Sequence, residues 1–84
     1  AINGVLPQTS ELKQLQPYPN PTGETLHWNV TEGTATISDA IGAEVLTIPA
    51  WVMQADISGL AIGVYYLTIR SGGESVTRMF SVMR

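Results

Sequence analysis

The stretch Asp56-Ile57-Ser58-Gly59-Leu60-Ala61-Ile62-Gly63-Val64-Tyr65-Tyr66-Leu67-Thr68-Ile69-Arg70 decides the fold. It reads as a turn feeding a strand. Ser58-Gly59 is a turn dipeptide, and Gly63 is the next residue free to take a positive φ. From Val64 onward the residues are mostly β-branched or aromatic, the types that fit a pleated surface. Side chains alternate across a strand, so Tyr65, Leu67 and Ile69 share one face while Tyr66, Thr68 and Arg70 share the other. Only the first set suits a core throughout. The spacing predicts the central strand of a β-sandwich.

The upstream chain repeats the pattern. In Glu24–Val30, Leu26, Trp28 and Val30 oppose Thr25, His27 and Asn29. Thr31-Glu32-Gly33 is a hairpin-sized loop. Thr34–Asp39 alternates again, with Ala35 and Ile37 inward, and Asp39-Ala40-Ile41-Gly42 turns the chain. Ala43–Ile48 is a further strand, with Glu44, Leu46 and Ile48 opposite Ala43, Val45 and Thr47. Its apolar residues lie on both faces, so periodicity leaves its register open; Val45 is assigned to the core. Pro49–Met53 is either a loop folded over the core or the start of a short strand ending near Ile57.

Downstream, Ser71-Gly72-Gly73-Glu74 is a hairpin turn and Ser75–Met83 the last strand. Val76, Phe80 and Val82 share a face with Arg78 and Arg84. An arginine in line with core residues implies an edge position, a bulge or a carboxylate partner. At the other end, residues 1–13 read as a linker or an edge segment, rich in turn formers. Gln14–Tyr18 is a short first strand. Pro17-Tyr18-Pro19-Asn20-Pro21-Thr22-Gly23 holds three prolines, which fix φ and remove N–H donors, so it forms a corner or an edge. The expectation is an all-β domain over residues 14–84: a seven-stranded antiparallel immunoglobulin-like β-sandwich without the Cys…Trp…Cys signature of antibody domains. A small barrel is the competing fold.

Composition narrows the function classes. Eighty-four residues bury about 60–65% of the unfolded surface, enough for one modest core. A net charge of −3 with only four cations argues against nucleic acid, which needs clustered Lys and Arg. The absence of cysteine removes disulfides, thiolate metal sites and a Cys nucleophile. No apolar run approaches the ~20 residues that span a bilayer. The opening residues lack the basic and apolar regions of a signal peptide, which places any export signal upstream in a longer parent. His27 is the one histidine, on an outward face; Ser38, Ser58, Asp39 and Asp56 lie in no nucleophile motif, and the carboxylates lack metal-ligand spacing. No enzyme activity, metal or cofactor is expected. Trp28, Trp51, Tyr65 and Tyr66 offer an aromatic platform for a glycan, set against the reading of Trp28 and Tyr65 as core anchors.

Four stretches, taken in order, resemble the C-terminal sorting domain of the type IX secretion system. They are Tyr18-Pro19-Asn20-Pro21 with the strand Thr25-Leu26-His27-Trp28; Ala35–Asp39 leading into Gly42–Val45; Asp56–Tyr65; and Arg78-Met79-Phe80-Ser81-Val82-Met83-Arg84. Ala61 stands where the family often has proline, and Arg78 where it usually has lysine. The resemblance implies a seven-stranded sandwich that marks its parent for passage through the periplasm and across the outer membrane, to the cell surface or the medium. It implies the secretion machinery as partner (outer-membrane translocon, shuttle and sortase), with sortase cleavage and attachment of the cargo to an anionic lipopolysaccharide in many members. Pro19, Asn20, Pro21, Gly63, Tyr65, Arg78, Phe80, Val82 and Arg84 are the candidate recognition residues. A terminal strand left at a sheet edge suggests β-augmentation by a receptor, or an edge-strand dimer. The alternative is a retained accessory or carbohydrate-binding module of a surface protein.

Overall fold

The structure, a computed structural model, describes residues 11–20 and 22–83. They form an all-β unit of two antiparallel sheets with no α-helix among the described residues. The strands are β1 (Thr25–His27), β2 (Thr34–Asp39), β3 (Glu44–Pro49), β4 (Gln54–Asp56), β5 (Gly63–Ser71) and β6 (Glu74–Val82). β1 pairs with β4; the larger sheet runs β3-β2-β5-β6. Six strands thus stand among the described residues, against the seven expected.

The missing strand is Gln14–Tyr18. Glu11–Gln14 is a 3-10 turn instead, and Leu12 and Leu15 go into the core from it. Side chains, not a ladder, hold the segment. The Asn29 amide accepts from the Gln16 N–H at 2.8 Å and donates to the Gln14 carbonyl at 2.8 Å. Only Tyr18 pairs in β fashion, exchanging two backbone hydrogen bonds with His27. Residues 1–10 of the expected linker lie outside the described residues.

The alternation of the sequence carries over to the core. Leu26, Trp28 and Val30 from the small sheet's side meet Ile37, Leu67, Ile69, Phe80 and Val82 from the large sheet, all with negligible exposure. Tyr65 stacks on Phe80 across the β5–β6 pair, ring centroids 5.9 Å apart. Pro49–Met53 does fold over this core: Ala50–Val52 is a 3-10 turn, Ala50 is buried, and its carbonyl accepts the buried Trp28 indole N–H at 2.9 Å. The indole thereby avoids the cost of an unsatisfied buried donor. β4 then follows, the short strand that was the other option for this stretch.

Val45 is a correction, being exposed rather than in the core. Ile37 faces Leu46, but the next residue, Ser38, faces Glu44. Val45 is therefore the extra residue of a β-bulge, and the bulge reverses the alternation. Leu46 and Ile48 pack on the core, whereas Glu44 turns to the outer face, where it accepts the Thr47 hydroxyl. Gly33 explains how the chain leaves the small sheet. Its φ is +92°, and a Cβ there would lie 1.9 Å from the Arg70 carbonyl oxygen, so no other residue fits without moving β5.

Candidate recognition surface

The proline corner and the last strand form one structure. The Tyr18–Pro19 peptide is cis, and the chain then runs along the outer edge of β6. The Asn20 side chain spans two residues of that edge: its oxygen accepts the Ser81 N–H at 3.1 Å, and its nitrogen approaches the Met79 carbonyl at 3.5 Å. Thr22 continues in parallel register, donating its N–H to Ser81 and accepting that of Met83, both at 2.9 Å. Thr22 is itself buried, with its hydroxyl donated to the Thr25 carbonyl at 2.8 Å. The edge from Met79 to Met83 is thus already occupied. The unpaired backbone expected there as a template for an added strand is absent over that length.

The turn–strand stretch that decides the fold meets the same end of the sheet. Gly63 faces Val82 and Val64 faces Ser81 across β5–β6, while Tyr65 faces Asp39 across β5–β2. The Asp39 carboxylate accepts the N–H groups of Ile41 and Ala43 at 3.1 and 2.9 Å, which shapes the β2–β3 turn. The Tyr65 hydroxyl donates to the Ala61 carbonyl at 2.7 Å and so fixes the approach to β5. Ile41 (90% exposed), Ile62 (64%), Val64 and Met83 are left in solvent at this end. The first three line a shallow, mainly apolar hollow of about 310 Å³ between the β2–β3 turn and the start of β5.

The candidate residues divide by burial. Asn20 and Pro19 are exposed beside β6, and Gly63 opens β5 with a φ of +157°. Tyr65, Phe80 and Val82 are core residues, with no face to present beyond the Tyr65 hydroxyl. Arg78 does sit on an edge strand, but its partners are carbonyls, not carboxylates. Its Nε donates to Leu15 and its Nη2 to Lys13, each at 3.2 Å, which ties the 3-10 turn to β6. Pro21 and Arg84 lie outside the described residues. Periodicity missed Thr22, Ser81, Ile41 and Ile62. For the two isoleucines a signal was present: each is a large apolar residue inside a turn, where no core position is available.

The aromatic platform does not assemble. Trp28 and Tyr65 are buried, Trp51 is 68% exposed on the Ala50–Val52 turn, and Tyr66 lies on the outer face of β5. His27 stacks on Tyr18 with ring centroids 5.4 Å apart. Among the described residues no three His, Asp or Glu side chains cluster as a metal site would require. Asp56 has a turn-forming role: hydrogen bonds from the Ser58 backbone N–H and then its hydroxyl hold the carboxyl below its ordinary pKa.

No curated protein and no solved structure matches the chain. The model of one family, described as the secretion system C-terminal sorting domain, matches residues 16–83, from the segment clamped by Asn29 to the end of β6. With the match running over most of its length, the chain belongs to the secretion system C-terminal sorting domain family.

Proposed function

We propose that this domain directs its parent across the outer membrane through the type IX machinery, and that the machinery reads the end of the large sheet where Ile41, Ile62, Val64 and Met83 are exposed. The observation that carries the reading is convergence. Three parts of the chain far apart in sequence, Asn20 with Thr22, Ile62–Tyr65 and Ser81–Met83, are joined there by backbone pairing and the Asn20 clamp. Exposed apolar side chains grouped at one place on a small domain mark an interaction site more often than scattered ones do. Family membership supports a sorting role in general. The translocon, the shuttle and the sortase as direct partners, cleavage upstream of the domain, transfer of the cargo to an anionic lipopolysaccharide, and passage through the periplasm to the cell surface belong to this proposal. So does an immunoglobulin-like topology, in which the Tyr18 and Thr22 bridges replace a seventh strand. The role is one of recognition and needs no catalytic group.

The test is a secreted cargo fused to the domain carrying Ile41→Ser and Ile62→Ser together. Both side chains are largely in solvent, so the fold is expected to survive, as judged by circular dichroism and protease resistance. The fusion is expected to accumulate in the periplasm in folded form. Normal arrival of the folded double variant at the cell surface would refute recognition at this end.

A further inference from the structure

The outer face of the large sheet carries a second feature that the sorting role does not use. A concavity of about 460 Å³ lies on this face. Its floor is made of hydroxyls: Thr36, Ser38, Thr47 and Thr68, with Glu44 on one side and Arg70 on the other. The register explains the floor. Thr47, Thr36, Thr68 and Thr77 stand directly opposite one another across all four strands, so their hydroxyls repeat at the strand spacing of about 4.8 Å.

The hydroxyls are partly ordered by one another. Thr47 spends its proton on the Glu44 carboxylate, so in the Thr36–Thr47 contact of 3.4 Å it is Thr36 that donates. Thr36 is left with lone pairs and no free proton, which makes it an acceptor toward any ligand. Thr68 and Thr77 share one hydrogen bond at 2.8 Å, which leaves one proton of the pair to give. Among the described residues nothing holds the Arg70 guanidinium; it contributes donors only, as Glu44 contributes acceptors only. Tyr66, half-buried, stands on the same face, two residues before Thr68 and opposite Ser38.

We infer that this cleft binds a neutral saccharide. A dense, mixed set of donors and acceptors on a rigid floor matches a ring whose every carbon bears a hydroxyl. The charges of Glu44 and Arg70 cancel, so neither an acidic nor an amino sugar gains a net attraction over a neutral one. The volume lies within the range of small-ligand sites, and Tyr66 supplies an aromatic side chain at the margin. The site shares no residue with the apolar end assigned to sorting, so the two readings stand or fall separately.

The experiment titrates the isotope-labelled chain with cellotriose, maltotriose and mannotriose at millimolar concentration, with trigalacturonate as the acidic comparison. At least one neutral trisaccharide is expected to shift the resonances of Thr36, Thr47 and Thr68, and trigalacturonate to bind no more tightly than that ligand. The double variant Thr36→Val with Thr68→Val keeps the β-branched shape. It is expected to hold its thermal midpoint and to lose at least tenfold in affinity. Arg70→Gln is expected to weaken the neutral ligand as well. Absence of shifts at the threonines with all three neutral sugars, unchanged affinity in the folded valine variant, or tighter binding of trigalacturonate would each overturn the inference.

Discussion

Replacing Asn20 tests whether the proline corner is a clamp on the last strand or only a bend. In the native chain the Asn20 oxygen accepts the Ser81 N–H at 3.1 Å, a well-formed bond, while the contact of its nitrogen with the Met79 carbonyl at 3.5 Å is at the outer limit. Asn20→Ala therefore removes one good hydrogen bond and one marginal one. Both partners lie on an exposed edge where water can replace the amide, so the full penalty of a buried orphan does not apply. The expected loss is about 0.5–1.5 kcal/mol. An 84-residue domain has a total stability of about 4–13 kcal/mol, so this loss is felt without unfolding the chain. A loss near 1 kcal/mol lowers the thermal midpoint by about 4–8 °C for a domain of this size. Asn20→Asp is the discriminating variant. It keeps an acceptor for Ser81 and turns the Met79 contact into repulsion between oxygens, so it separates the two halves of the clamp.

Amide hydrogen exchange locates the effect. In Asn20→Ala the Ser81 amide is expected to exchange roughly fivefold faster, the factor that corresponds to about 1 kcal/mol. The Met83 amide, held by Thr22, follows if the corner loosens as a unit. Amides in the β2–β5 pairing serve as the internal control. An unchanged Ser81 exchange rate together with an unchanged midpoint would refute the clamp and return Asn20 to the role of a turn residue.

Leu67→Ala removes a side chain with no exposure at the centre of the large sheet and is expected to cost about 2–5 kcal/mol by denaturant titration. Arg78→Gln releases the carbonyls of Leu15 and Lys13; the Leu15 amide, bonded to Leu12 at 3.0 Å, is expected to exchange faster, while β2–β5 amides stay unchanged. The Asp56 carboxyl is expected to titrate below its ordinary value of 3.8 by carbon-detected NMR, because Ser58 stabilises the ionised form. A depressed folded-state pKa means that its contribution is fully present above the unfolded value and disappears as pH falls through the folded one. Asp56→Asn is therefore expected to flatten the acid limb of the stability profile below about pH 4.

Strand positions were legible wherever alternation ran over a full strand with both neighbours present. Tyr65, Leu67 and Ile69 on β5, and Ala35 and Ile37 on β2, fall where a period of two puts them, because a strand flanked on both sides has one buried face and no freedom of register. Legibility failed where a single residue changed the phase. Val45 looks like a core residue until the bulge opposite Ile37 and Ser38 is known, and a bulge leaves no mark in the residue types of an edge strand such as β3. It failed again at Gln14–Tyr18, where the groups that order the chain, Asn29 and Arg78, are 13 to 63 residues away. Local pattern carries no information about such partners. The same holds for the candidate recognition surface. Its parts were visible as separate stretches, but that Asn20 reaches Ser81 is a tertiary fact.

The closed edge of β6 constrains how a partner can engage the domain. An exported chain carrying an open terminal strand would present a template for pairing with other copies. Here Asn20 and Thr22 use the groups of that edge from Met79 to Met83, and Arg78 draws its own side chain back onto the Thr77 carbonyl and the 3-10 turn. Addition of a strand along that length requires the corner to be displaced first, at the cost of two Thr22 backbone bonds and the Asn20 contacts. Side chains at the end of the sheet require nothing to move: Ile41, Ile62 and Met83 are already in solvent, and the backbone beneath them is fixed by Asp39, by the Tyr65 hydroxyl and by Thr22. A rigid apolar end loses little conformational entropy on docking. Reading by side chains at the apolar end therefore needs less reorganisation than β-augmentation of β6. The buried positions Tyr65, Phe80 and Val82 present no side-chain surface to a partner there beyond the Tyr65 hydroxyl, and hold that end in shape.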